Sequence, residues 1–112
     1  MQSPLQTLVD TKLVSIMFIH DYLQLGFSNG SGLTVNNIYS WSTTDYVSVI
    51  GSELQEALEE KDRIIFKFSN GAELVVGFKK EDFLCHEGML LSTEGAVTPI
   101  IWDEGYPYDL IK

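Results

Sequence analysis

Two stretches of the chain alternate apolar and polar residues with a period of two, and each leads into the same four residues. Residues 23–27 alternate before "FSNG" at 27–30, and residues 64–68 do so before a second "FSNG" at 68–71. Such alternation predicts strands with one buried face. Apolar residues also alternate after each turn, so each copy predicts a β-hairpin.

The length of the second turn follows from which side chains must share a face. A three-residue loop, 69–71, pairs Phe66 with Leu74 and keeps both on the buried face, whereas a two-residue loop would move Leu74 to the opposite face. The equivalent loop of the first copy obeys the same argument. The last residue of such a loop is left-handed, which predicts positive φ at Gly30 and Gly71.

The repeated turn belongs to a longer similarity. Shifting the sequence by 41 positions aligns residues 13–37 with 54–78 without a gap, and eight of these 25 positions are identical. We therefore predict an internal duplication of a three-stranded meander. The opening strand of the first copy, 13–19, is apolar on both faces, which predicts a central strand.

The counterpart of that opening strand gives two conflicting signals. Ser52 and Gln55 resemble a helix capping box, and the composition of 53–62 favours a helix. The duplication instead favours a strand with a polar outer face at a sheet edge, where charges prevent aggregation. We take the strand.

Short helices and a final hairpin complete the prediction. Ser3-Pro4 should cap one short helix, and Thr43 or Thr44 another that ends at Gly51. A loop or single helical turn follows the second copy, and a hairpin around 93–95 places Pro99 in an edge strand. The predicted fold class is mainly β, with α+β left open. We expect one domain over 1–112, repeats at about 5–40 and 46–80, and a C-terminal hairpin and tail at 81–112.

Charge narrows the choice of partners. Sixteen acidic and seven basic residues give a net charge of −9 and a pI near 4.4, which argues against nucleic acid and anionic membranes. Residues 1–52 carry only −2, so the remaining −7 lies in the second half. This charge serves either solubility or a basic protein partner. No signal peptide and no membrane-spanning run is recognisable, so we expect a cytoplasmic protein.

Candidate catalytic groups are few. His20-Asp21 fits an exposed turn, because adjacent residues seldom aim at one point. Cys85-His86-Glu87 brings a thiol, an imidazole and a carboxylate together, but without the spacing of a metal site or a recognisable nucleophile motif. We interpret Cys85 as a buried small hydrophobe and His86 as a loop residue, and leave a site of His, Cys and carboxylate open. We predict no enzyme, no cofactor and no metal.

Aromatic residues cluster between the repeats, at 39–46, and in the tail. The tail group, Trp102, Tyr106 and Tyr108, is interleaved with Asp103, Glu104 and Asp109. These rings serve either packing or a protein interface, where Tyr and Trp are favoured.

Three segments carry a resemblance to a known family: "SIMFIHDYLQLGFSNGSGLTV", "VIGSELQEALEEKDRIIFKFSNGAELVVGFKKEDF" and "AVTPIIW". Together they resemble small acidic bacterial immunity proteins, encoded beside toxins of contact-dependent growth inhibition and related polymorphic toxin systems. The similarity covers roughly residues 5 to 102 and consists of strand and turn patterns. It implies a protein that binds and neutralises one cognate toxin domain, often a basic nuclease, without catalysis of its own.

Two function classes follow. The first is an immunity protein whose acidic residues bind a basic toxin domain. The second is a small binding or assembly domain that forms homo-oligomers through a sheet edge or holds an apolar ligand, and a homodimer stays open. For the first class, charge nominates two alternative groups of contact residues: Glu56, Glu59, Glu60 and Asp62, or Asp103 and Glu104 beside Trp102 and Tyr106.

Overall fold

The computed structural model describes residues 3–106, and 47% of these residues lie in strands or bridges. The strands in chain order are β1 (Leu13–Ile19), β2 (Tyr22–Phe27), β3 (Gly32–Val35), β4 (Tyr39–Trp41), β5 (Leu54–Glu59), β6 (Arg63–Phe68), β7 (Glu73–Gly77), β8 (Glu87–Ser92) and β9 (Ile100–Asp103). The helical elements are two 3-10 helices, η1 (Pro4–Leu8) and η2 (Lys80–Asp82), and the single-turn helix α1 (Tyr46–Val49). The predicted mainly β fold is confirmed.

The strands form two antiparallel sheets around one core. The first sheet has the order β1-β2-β3-β8-β9 and the second the order β4-β7-β6-β5. Core side chains such as Leu25 and Phe66 come from equivalent positions of the two repeats and belong to one hydrophobic cluster. No helix within residues 3–106 has the length and apolar character needed to cross a membrane.

The two meanders have the same strand register. Leu25 pairs with Leu33 in the first copy, and Phe66 pairs with Leu74 in the second, as the three-residue loop requires. Both opening strands contain an irregularity after their first residue. The predicted equivalence of the copies is confirmed, including the strand at β5, where the duplication outweighed helix propensity.

The repeated "FSNG" turn is hydrogen-bonded to the start of its own meander. The hydroxyl of Ser28 accepts a hydrogen bond from the backbone N–H of Lys12 at 2.9 Å. The hydroxyl of Ser69 does the same for Glu53, also at 2.9 Å. Each serine thus ties its turn to the residue that precedes the opening strand. This bond explains why both copies have a serine at this position.

The Asn and Gly of the turn complete its structure. Asn29 and Asn70 each accept a bond at 3.0 Å from the backbone N–H two residues later, and each also donates to the helical segment before its meander. Gly30 and Gly71 have φ values of 85° and 94°. Both predicted positive φ angles are confirmed.

The copies meet where their opening strands begin. The N–H of Leu13 donates to the carbonyl of Ser52 at 2.9 Å, and the N–H of Leu54 donates to the carbonyl of Thr11 at 2.9 Å. These residues are related by the same shift of 41 positions that aligns the sequences. The contact is therefore reciprocal, as at a twofold axis.

Beyond the meanders, the copies exchange strands. After β3 the chain crosses to the second sheet, where β4 pairs with β7. After β7 it crosses back to the first sheet, where β8 pairs with β3. Each sheet therefore contains a strand that follows the other repeat's meander.

Two details of the prediction are wrong. We expected β1 to be central, but it forms an edge of the first sheet, and its outward apolar side chains Val14 and Met17 are half exposed. We also expected Thr43 or Thr44 to cap α1, but Asp45 does so, because its carboxylate accepts a bond from Ser48 N–H.

The remaining predicted elements are present. Ser3 caps η1, with Pro4 as its first residue, and η2 is the single helical turn expected after the second copy. β8 and β9 form the C-terminal hairpin, with β9 at the sheet edge directly after Pro99. The tail beyond Tyr106, including Tyr108 and Asp109, lies outside the described residues.

Candidate partner-binding face

The two acidic groups that the sequence offered as alternatives lie side by side. β5 is the edge of one sheet and β9 is the edge of the other. Across this junction, Trp102 Nε1 donates to Glu59 Oε2 at 3.3 Å, although the two residues are 43 positions apart. The two groups therefore lie on adjoining sheet edges, and the carboxylate of Glu59, whose Oε1 is buried, joins these edges from inside.

Tyr106 forms the second link across the junction. Its hydroxyl donates to the backbone carbonyl of Glu60, and its ring packs on Phe78 with centroids 4.6 Å apart. Burial is the main reason why the pKa of Tyr106 is raised, and the nearby charges of Glu59, Glu60 and Asp62 raise it further. The hydroxyl is therefore held in its neutral, hydrogen-bond-donating form.

The aromatic residues nominated as contact residues are internal. Trp102 is 2% exposed and Tyr106 is 6% exposed, so neither presents a ring to a partner. The packing interpretation of the tail aromatics is confirmed for these two. Between the repeats, Trp41 likewise packs near Tyr46 and Phe68.

The helical turn η2 adds carboxylates that charge counting did not single out. Glu81 and Asp82 line an open depression together with Glu60 and Asp62. The N–H of Phe78, just before η2, donates to the carbonyl of Asp62, which places this turn beside the β5–β6 turn. No pattern in the sequence predicts the contact between these two turns, because the contact depends on the direction in which the chain leaves β7.

We define the acidic face by the carboxylates around this junction: Glu60, Asp62, Glu81, Asp82, Asp103 and Glu104. The carboxylate of Glu59 is turned inward, with Oε2 on Trp102 and Oε1 buried. Arg63 and Lys79 also line the depression, and Arg63 forms an exposed ion pair with Glu60 at 2.7 Å. Within the depression, four carboxylates face two basic side chains, which leaves an excess of negative charge. Glu56 stands apart on β5, opposite Lys67.

His86 extends the acidic face on the β9 side. Its Nδ1 lies 2.7 Å from Glu104 Oε1, and its Nε2 lies 3.9 Å from Asp103 Oδ2. The hydrogen bond with Glu104 is the main reason why the pKa of His86 is raised. Protonation of His86 would therefore partly neutralise this end of the face.

Cys85 does not join His86 in a site. The thiol is exposed, which corrects the expectation of a buried residue, and it donates to the backbone carbonyl of Glu87 at 3.1 Å. The reason is its position, because Cys85 lies in the loop between η2 and β8 and not on the buried face of a strand. Within residues 3–106, no group of His, Cys, Asp and Glu side chains is arranged to hold a metal ion. His20 and Asp21 form the expected exposed turn.

Comparisons with known proteins give no match to a protein family, to a curated protein or to a solved structure.

Proposed function

We propose that the protein is an immunity protein that binds a cognate, basic toxin domain through the acidic face and blocks it. The observation that carries this proposal is the junction of β5 and β9, where carboxylates distant in sequence share one surface. The toxin partner is proposed to be of the nuclease type, because such domains carry a basic substrate-binding surface. Both proteins would meet in the cytoplasm.

The face suits recognition of basic side chains. The open depression lined by Glu60, Asp62, Glu81 and Asp82 has a volume of about 510 Å³, enough to admit a lysine or arginine side chain. The four carboxylates would attract such a side chain, and Arg63 and Lys79 at the wall would repel it from their own positions, so that it is directed toward the carboxylates. The buried Trp102 and Tyr106 bond to Glu59 and Glu60, so they connect the β9 side of the face to the β5–β6 turn.

Complementary charge should act mainly on the rate of association. We expect the double variant Asp62→Lys/Glu81→Lys to slow association with the toxin domain severalfold and to flatten its dependence on salt. Both residues are exposed, so the fold should persist. Stopped-flow or surface-based kinetics from low to high salt would measure the effect.

A matched control separates the acidic face from total charge. The double variant Asp21→Lys/Glu94→Lys changes the net charge by the same amount on exposed turns of the first sheet. Asp21 is also the duplicate of Asp62. We expect this control to associate at nearly the original rate. Equal slowing by both double variants would show that only net charge matters, and the acidic face would lose its assigned role.

The function itself is tested by co-expression with the C-terminal domain of an adjacent secreted protein. We expect growth rescue and a stable complex. If that domain remains toxic and no complex forms, the immunity proposal fails.

A further inference from the structure

The duplication supplies an internal comparison between two edge strands. β1 and β5 occupy equivalent edges of the two sheets, yet only β5 carries charges, Glu56 and Glu59. β1 has none along its seven residues, and its Val14, Met17 and Phe18 are 54%, 50% and 51% exposed. Charges on an edge strand normally prevent pairing with another chain. The charges on β5 have no counterpart on β1, although both strands carry an irregularity after their first residue and Tyr46 of α1 packs on Phe18.

The backbone of the two edges differs in the same way. At β5, η1 packs against the strand, and Gln6 Nε2 donates to the Ala57 carbonyl at 3.0 Å. Ala57 is the duplicate of Ile16, and the two have the same register to the neighbouring strand, so the Ile16 carbonyl also faces away from its sheet. The duplicate of Gln6 is Val47, which is 81% exposed and has no donor. Within residues 3–106, no side chain donates to the Ile16 carbonyl.

We propose that β1 pairs with β1 of a second copy of this chain, antiparallel about a twofold axis at Ile16. In this register, Ser15 lies opposite Met17 of the second copy and Val14 opposite Phe18, so no like charges face each other. At both ends Lys12 of one copy lies opposite His20 of the other, next to Asp21, whose carboxylate adds attraction between opposite charges. The strand is thus complementary to itself, as a twofold interface requires.

The charge distribution also favours a second copy of the chain as the partner of β1. Two copies with a net charge of −9 repel one another over most of their surface, but residues 1–52 carry only −2. β1 is therefore the edge at which a second copy meets the least repulsion. The dimer would join two five-stranded sheets into one of ten strands. The acidic face lies at the opposite edge, on β9, so it stays free in the dimer and this proposal stands independently of the toxin proposal.

Sedimentation over a range of protein concentrations tests the dimer. We expect a reversible monomer–dimer equilibrium that Met17→Glu weakens by at least about tenfold, since it places new like charges in the interface. The matched control is Leu58→Glu, at the duplicate position on β5, which should leave the equilibrium unchanged. A chain that stays monomeric throughout, or equal weakening by both variants, would overturn the proposal and leave β1 to a different protein.

Disulfide trapping tests the register. In a Cys85→Ser background, the double variant Ser15→Cys/Met17→Cys places two pairs of thiols opposite each other, at positions where antiparallel strands approach closely. We expect oxidation to trap a covalent dimer. The single variants Ser15→Cys and Met17→Cys should trap little, because neither residue faces itself across the twofold axis. Equal trapping by the single and double variants would contradict the register.

Discussion

Trp102→Ala is expected to lower the free energy of unfolding by about 3–5 kcal/mol, the typical cost of removing a large buried aromatic side chain. Trp102 is 2% exposed on β9 and belongs to the core cluster. It also donates to Glu59 on the other sheet. Its loss would leave a cavity at the junction and release a link between the sheets. Urea unfolding followed by circular dichroism would measure the change.

Two milder variants separate the causes. Trp102→Phe keeps most of the buried ring and removes the bond to Glu59, so we expect a smaller loss, which includes about 1 kcal/mol for the hydrogen bond. Ile101→Ala changes the neighbouring residue, which is 39% exposed, and should cost less than about 1 kcal/mol. If Trp102→Ala cost no more than Ile101→Ala, Trp102 would not be part of the core.

Gly71→Val is expected to lower the free energy of unfolding by on the order of 1–2 kcal/mol. Gly71 has a φ of 94°, a conformation that a β-branched residue resists. An added Cβ would meet no atom within 4 Å, so the cost comes from the backbone rather than from a steric clash. Thermal or urea unfolding would measure it.

Gly32→Val is the matched control. Gly32 lies in β3 outside the left-handed region, and the nearest atom to an added Cβ is the Leu25 carbonyl oxygen at 3.8 Å. Valine suits a strand, so we expect little or no loss of stability. Equal destabilisation by Gly71→Val and Gly32→Val would show that the positive φ is not the cause.

The sequence predicts local pairing well, because side-chain alternation and turn length together determine register. Alternation and turn length correctly predicted that Phe66 lies opposite Leu74, and the duplication correctly predicted that β5 is a strand. The central position predicted for β1 was wrong, because apolar residues on both faces occur in central strands and also in edge strands that can pair with another chain. The exchange of β4 and β8 was also missed, since alternation indicates that a strand exists but not which strand it pairs with.

For the same reason, the sequence predicted separate groups of residues of the candidate face but not their proximity. Charge counting identified the carboxylates on both sides of the junction, including Glu59 and Asp103. It could not show that β5 and β9 meet, because this depends on how the two sheets close around the core. Glu81 and Asp82 were missed because their place on the face depends on the path of the chain after β7.

The exchange of strands has a consequence for how the chain can be divided. Without β8, β3 lacks its second neighbour, and without β4, β7 lacks its own. We therefore expect fragments 1–44 and 45–112 to lack stable structure separately and to recover the native circular dichroism when mixed. Two folded fragments would contradict this. The two halves are related as the subunits of a domain-swapped homodimer are. A single-repeat ancestor would have needed two chains to form the pair of sheets that this protein forms with one.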